Sequence, residues 1–261
     1  MAKSFENTSF EDEVAYFYDS HPTEEDLMGE TAVHAYLVRY LMEVLIWQFH
    51  GQSCAVYDNL NFYQTSNRKE YPLAPDIAVI KGATFRFVRS WRVGKTGPAP
   101  QVVFEFASEE TWHNDLEEKP LKYAQMGVKE YFAYDPNDPP INRQSARRLW
   151  GWRLDKSSGQ MRELAVYPDG RLWSQHLESY LVPDHEYLRL YDGQGVLRLT
   201  RAEAEARRAE EEARRAVIEA EARQAAERQA AMEAEARQAA ERRAEVLAEK
   251  IRALGIDADA L

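Results

Sequence analysis

Two acids stand where apolar strand residues would be expected. Asp76 follows Pro75 at the head of the run Ile77-Ala78-Val79-Ile80, and Glu105 interrupts Val102-Val103-Phe104-Glu105-Phe106-Ala107. An unpaired carboxylate taken out of water is costly, so it acquires a cation, hydrogen-bond donors or a proton. Two such acids on neighbouring strands point to a divalent cation held by oxygen, Mg²⁺ in the first place with Mn²⁺ as a substitute.

Alternation along the second strand puts Val102, Phe104 and Phe106 on one face and Val103, Glu105 and Ala107 on the other. Glu105 therefore points away from the aromatic side. A helical segment beginning near Asn114 offers Asp115 and, one turn on, Lys119, within reach of the same end of the sheet. Two acids and an ammonium suit phosphodiester hydrolysis: the acids hold the metal, the metal polarises the phosphoryl oxygen and activates water, and the lysine offsets developing charge or orients that water. Each residue also has a plainer role open to it. Asp76 could cap a turn, Glu105 could pair with a buried base, and Lys119 could be a solvated helix lysine.

Pro75-Asp76, Val102 to Ser108, Asp115 to Lys119, and Tyr123 followed by Gly127 to Pro136 together resemble the prokaryotic restriction-endonuclease-like family of the PD-(D/E)XK nuclease superfamily. The resemblance runs from about Glu30 to Pro136 and more loosely to Leu199. It implies a sheet flanked by helices, metal ligands on adjacent strands and DNA as substrate. On that basis Asp76 matches the acid of the PD motif and Glu105 the second acid. The superfamily's usual lysine two residues after the glutamate is replaced by Ala107, and the family's lysine comes from the following helix, here Lys119. Glu30 corresponds to a further metal-binding helix acid that some members use; a first-turn glutamate favoured by the helix dipole is the plainer reading. Pro120 follows Lys119 directly, so either the regular helix starts near Pro120 with Lys119 at its entrance, or its first turn is distorted.

The elements that position these residues follow from periodicity. Residues 1–26 read as an irregular acidic arm. From Glu30 to Phe49, Val33, Leu37, Leu41, Val44 and Leu45 recur at three- and four-residue steps, which predicts an amphipathic helix. Ser53 to Gln64 predicts one or two strands, Asp76 to Ile80 a short buried strand, and Lys81 to Pro100 a polar connection. Asn114 to Met126 reads as a helix ending at Gly127, a natural left-handed cap, and Val128 to Pro136 as a fourth strand. Trp150 to Leu199 predicts hairpins that extend the sheet or form a small β lobe. The expected fold is an α/β, restriction-endonuclease-like mixed sheet flanked by helices, with additional β-hairpins, over residues 27–199.

Residues 200–261 differ in kind. Every Trp, Tyr, Phe, Pro and Cys lies before Thr200, and the tail is mostly Ala, Glu, Arg and Gln. Glu219 to Met232 repeats as Glu233 to Val246, a period of two heptads. Glu219–Arg223 and Glu233–Arg237 sit four apart with the acid first, which favours a long helix. Ile218, Ala225, Met232, Ala239 and Val246 form a candidate seam; residues 200–250 are expected to associate as a coiled-coil homo-oligomer or to stand as a solvated single helix.

Net charge is −11, with 15 acids and 12 bases from Thr200 onward, so neither part is basic. That lowers the expectation of tight non-specific DNA binding without excluding a nuclease, whose carboxylates add negative charge until metal arrives. A single cysteine, Cys54, permits no internal disulfide, and no stretch approaches the length of a membrane span. The expectation is a soluble cytoplasmic protein. Gly94-Lys95-Thr96 is no phosphate loop, because Arg89 stands where the first glycine is required. Six histidines show no paired metal spacing. The leading expectation is an Mg²⁺-dependent DNA endonuclease; the alternative is a catalytically silent nuclease-like interaction module assembled through its tail.

Overall fold

A computed structural model describes residues 31–65, 67, 69–108, 112–143 and 146–253. Glu30 and the acidic arm at 1–26 lie outside them. The chain divides after Arg201 into two compact units.

Helix α1 (Ala32–Gln48) begins where Thr31, in extended conformation, accepts a hydrogen bond from the His34 amide. Its apolar stripe, Leu37, Leu41, Val44 and Leu45, is buried against one face of a six-stranded sheet. The first eight strands in chain order are β1 (Cys54–Asp58), β2 (Phe62–Tyr63), β3 (Ile77–Lys81), β4 (Trp91–Arg92), β5 (Val102–Phe106), β6 (Glu130–Tyr134), β7 (Leu149–Asp155) and β8 (Gln160–Glu163). The main sheet runs in the order β1-β3-β5-β6-β7-β8. β5 and β6 are parallel, joined by a helical crossover, and the other neighbouring pairs are antiparallel. Strands covered on both faces read as nearly continuous apolar runs, which is why Val102–Phe106 and Glu130–Tyr134 are buried throughout.

The crossover is two helices, α2 (Trp112–Glu117) and α3 (Lys119–Met126), interrupted at Glu118. Pro120 has no N–H to donate and cannot continue α2, so a new helix starts with Lys119 at its entrance, the first of the two arrangements its sequence allows. α3 ends at Gly127, whose φ of 85° is the left-handed cap geometry. It lays Tyr123 and Met126 on the sheet face opposite α1, with Val103, Tyr131 and Ala133.

The connection from Lys81 to Pro100 is more structured than its polarity suggests. β4 pairs in parallel with β2, and Trp91 is fully buried, donating its indole N–H to the Pro98 carbonyl at 3.0 Å. Any Cβ on Gly97 would lie 2.3 Å from the Trp91 ring, so only glycine fits there. The late hairpins do both things expected of them. β7 and β8 extend the main sheet, while β9 (Leu172–Ser174), β10 (Ser179–Asp184) and β11 (Tyr187–Asp192) form a separate antiparallel sheet.

The second unit holds α4 (Arg201–Ala253), a single helix that buries none of its own residues. Arg223 and Arg237 pair forward with Glu227 and Glu241 at 3.1 Å, not backward with Glu219 and Glu233. Each arginine has an acid four residues away on both sides, and exposed pairs differ by only tenths of a kcal/mol, so the two choices are nearly equal.

Candidate active site

The sheet alternation read from the sequence holds at β5. Val102, Phe104 and Phe106 pack in the cluster under α1, and Glu105 looks to the opposite face, beneath α3. Glu105 is 4% exposed, and its Oε1 accepts from the Tyr123 hydroxyl at 2.5 Å and from Lys119 Nζ at 3.0 Å. Lys119 also reaches Asp115 Oδ1 at 2.7 Å, one turn back across the interruption at Glu118. The ammonium is thus held between two buried carboxylates. The Tyr131 hydroxyl in turn donates to the Asp115 carbonyl at 2.8 Å, tying α2 to β6.

Asp76 sits one residue before β3, next to the register pair Ile77 and Phe104. It is 8% exposed, and its Oδ2 accepts from the Phe106 amide at 2.6 Å, which ties the end of β3 to the residue after Glu105. Its Oδ1 lies 3.2 Å from His34 Nε2 on α1, whose ring meets Phe106 edge-on at 5.9 Å. One end of the sheet therefore gathers Asp76, Glu105, Asp115 and Lys119.

The electrostatics reflect burial. Loss of hydration pushes the Glu105 carboxyl up to about 8; Lys119 pulls it back, and the charges of Asp76 and Asp115 add to the rise. Burial alone would lower Lys119, but Glu105 and Asp115 more than reverse this and hold it above the usual lysine range. Burial and the neighbouring Glu105 charge raise both Tyr123 and Tyr131, so both hydroxyls stay protonated as donors.

Three of the four candidate residues, Asp76, Glu105 and Lys119, are brought together, and Glu30 lies outside the described residues. Among the described residues no cluster of three or more His, Cys, Asp or Glu side chains is arranged as a metal site. That does not exclude Mg²⁺, which is commonly held by one or two carboxylates with water and substrate phosphate filling the remaining positions. Asp76 and Glu105 supply the hard oxygen donors such an ion takes, and a carboxyl as strained by burial as Glu105 gains from a cation beside it.

Periodicity and spacing assign no partner to His34 or Tyr123, which meet Asp76 and Glu105 in the fold. Each had a signal. Tyr123 lies four residues after Lys119, on the same side of α3, and Thr31 caps α1 with His34 in its first turn.

No curated protein matches the chain. It is similar to a crystal structure of a putative nuclease belonging to DUF820 from Anabaena variabilis ATCC 29413, with a TM-score of 0.41 and 12% identity over 57% of this chain and 76% of that one. Residues 10–181 match the family model Uma2, described as "Putative restriction endonuclease", and the chain belongs to that family.

Proposed function

We propose that the protein is an endonuclease that hydrolyses DNA phosphodiester bonds with Mg²⁺, or Mn²⁺ in its place, held by Asp76 and Glu105, with Glu30 as a further ligand. The observation that carries the reading is the Lys119 ammonium 3.0 Å from Glu105 Oε1, at the strand end where Asp76 binds the Phe106 amide. When bound, the ion would polarise a phosphoryl oxygen and lower the pKa of a water. Lys119 offers its charge to the phosphate, where negative charge grows in the transition state. Asp115 holds Lys119 in place, Tyr123 fixes the Glu105 carboxylate, and His34 orients Asp76.

No helix among the described residues is long and apolar enough to cross a membrane, and a cytoplasmic location accords with the lone thiol of Cys54. Self-association through residues 200–250 belongs to the same proposal. The rival, a silent interaction module, draws support from the contacts of Lys119 with Glu105 and Asp115, which give the ammonium its partners without any metal. Incubation with plasmid and single-stranded DNA, in Mg²⁺ and in chelator, decides between them. Cleavage confined to Mg²⁺ and abolished in Glu105→Gln supports the endonuclease; no cleavage in either protein supports the module.

A further inference from the structure

Between Asp76 and Glu105 the chain carries five basic residues, Lys81, Arg86, Arg89, Arg92 and Lys95, and no acidic one, in a protein of net charge −11. Arg86, Arg89 and Lys95 are exposed. So are two neighbouring rings, Phe85 and Phe87, the latter 91% exposed. Single exposed apolar side chains are ordinary; adjacent rings set among cations are what a surface that stacks bases and binds phosphates requires.

This segment is held in place. Phe85 stacks on Tyr57 at 5.1 Å between ring centres and meets Phe87 edge-on at 5.5 Å. The Tyr57 hydroxyl donates to the Arg86 carbonyl at 2.9 Å, and the Arg86 guanidinium donates to the Thr96 carbonyl at 2.6 Å. Tyr57 pairs with Ala78, two residues from Asp76, and packs in the cluster that contains Tyr123, the hydroxyl partner of Glu105. The basic, aromatic segment thus covers the same face of the sheet as Glu105.

We propose that residues 83–97 are the surface that receives the DNA strand, Phe87 stacking on an unpaired base while Arg89 and Lys95 contact flanking phosphates; this rests on the hydrolytic reading above. The test is fluorescence anisotropy of a labelled single-stranded oligonucleotide and its duplex in chelator, where nothing is cut. Phe87→Ala is expected to weaken single-strand binding about tenfold, and duplex binding less. Arg89→Ala and Lys95→Ala should each flatten the log–log salt slope by about 0.7. All three side chains are exposed, so unchanged melting midpoints serve as the folding control. Wild-type affinity and slope in all three variants would overturn the proposal. Glu105→Gln, run in parallel, separates the two readings. Binding that depends on the segment without metal-dependent cleavage keeps this surface and removes the hydrolytic reading, and cleavage with binding indifferent to the segment does the reverse.

A second inference comes from the tail alone: we infer that α4 pairs with α4 of a second copy in antiparallel register. With Ile218, Ala225, Met232, Ala239 and Val246 at d, the a positions are Ala222, Gln229, Ala236 and Arg243, and Glu221, Arg228, Glu235 and Arg242 flank them at g. The pairs Arg223–Glu227 and Arg237–Glu241 lie at b and f on the outer side, leaving the g side chains beside the seam. Sign alternates at g with every heptad. An antiparallel pair with Gln229 against Met232 sets Glu221 against Arg242, Arg228 against Glu235, and Arg214 against Glu249, each contact attractive. It also covers Ile218 and Val246 with the aliphatic stems of Arg243 and Arg215. A parallel in-register pair would stack Arg243 on Arg243 and Arg215 on Arg215 inside the seam. Sedimentation equilibrium tests this. Arg228→Glu is expected to weaken association about tenfold, because it creates two like-charge contacts, and adding Glu235→Arg should restore it. A wild-type monomer, or a double variant no better than the single one, would overturn the antiparallel pair, since in the parallel form Glu235 faces Ala240.

Discussion

Lys119 and Glu105 meet at 3.0 Å, although one opens a helix and the other is buried in the central strand of the sheet. The contact depends on Pro120. By ending α2 and starting α3, the proline places Lys119 in the first turn of the second helix, where its side chain leans back toward Asp115 and down onto β5. The ammonium is therefore fixed before any substrate arrives.

Replacing Lys119 by Met removes the charge and keeps most of the stem. The expected result is a fall in kcat of about 10²-fold or more, with Mg²⁺ affinity unchanged or higher, since a competing cation has gone. Single-turnover cleavage and isothermal titration with Mg²⁺ measure the two effects separately.

Tyr123→Phe deletes the donor that holds Glu105 Oε1. Loss of such a partner to a ligand carboxylate typically costs about 10- to 100-fold in metal affinity. Mg²⁺-dependent melting curves should shift to correspondingly higher concentration, while the metal-free melting point moves little.

Glu105 also makes stability depend on pH. Its carboxyl is raised from 4.5 to about 8 in the folded chain, so the folded state binds the proton more tightly than the unfolded one. This contribution is fully present below about pH 4.5 and is lost as pH rises through about 8. In chelator, the wild type should lose stability over that window relative to Glu105→Gln, which has no carboxyl to ionise. Urea denaturation at stepped pH is the measurement; parallel profiles for the two proteins would contradict the assignment.

Glu130 serves structure instead. It is fully buried, takes Arg153 Nε at 2.8 Å and Ser174 Oγ at 2.6 Å, and accepts the Gln175 and His176 amides at 3.0 Å, joining the main sheet to the end of β9. Glu130→Gln leaves Arg153 without its counter-charge and replaces two acceptor oxygens by one acceptor and one donor. A loss of about 3–5 kcal/mol is expected in urea denaturation, with cleavage per folded molecule unchanged.

How much of this could be read in advance divides by sequence separation. The face of β5 that carries Glu105, the helix from Ala32, the Gly127 cap and the long tail helix follow from local periodicity and cap residues, because each is decided by neighbours within a turn or a strand. The family motifs mark Asp76, Glu105 and Lys119 as a group in the sequence itself. His34 beside Asp76, Tyr123 over Glu105 and the buried Trp91 in a polar connection were decided only when distant segments packed. Periodicity states which side of an element is apolar and is silent about what will cover it. Proximity between residues 34 and 76, or 105 and 123, arises from the order of strands in the sheet and the path of the crossover, which local sequence does not encode.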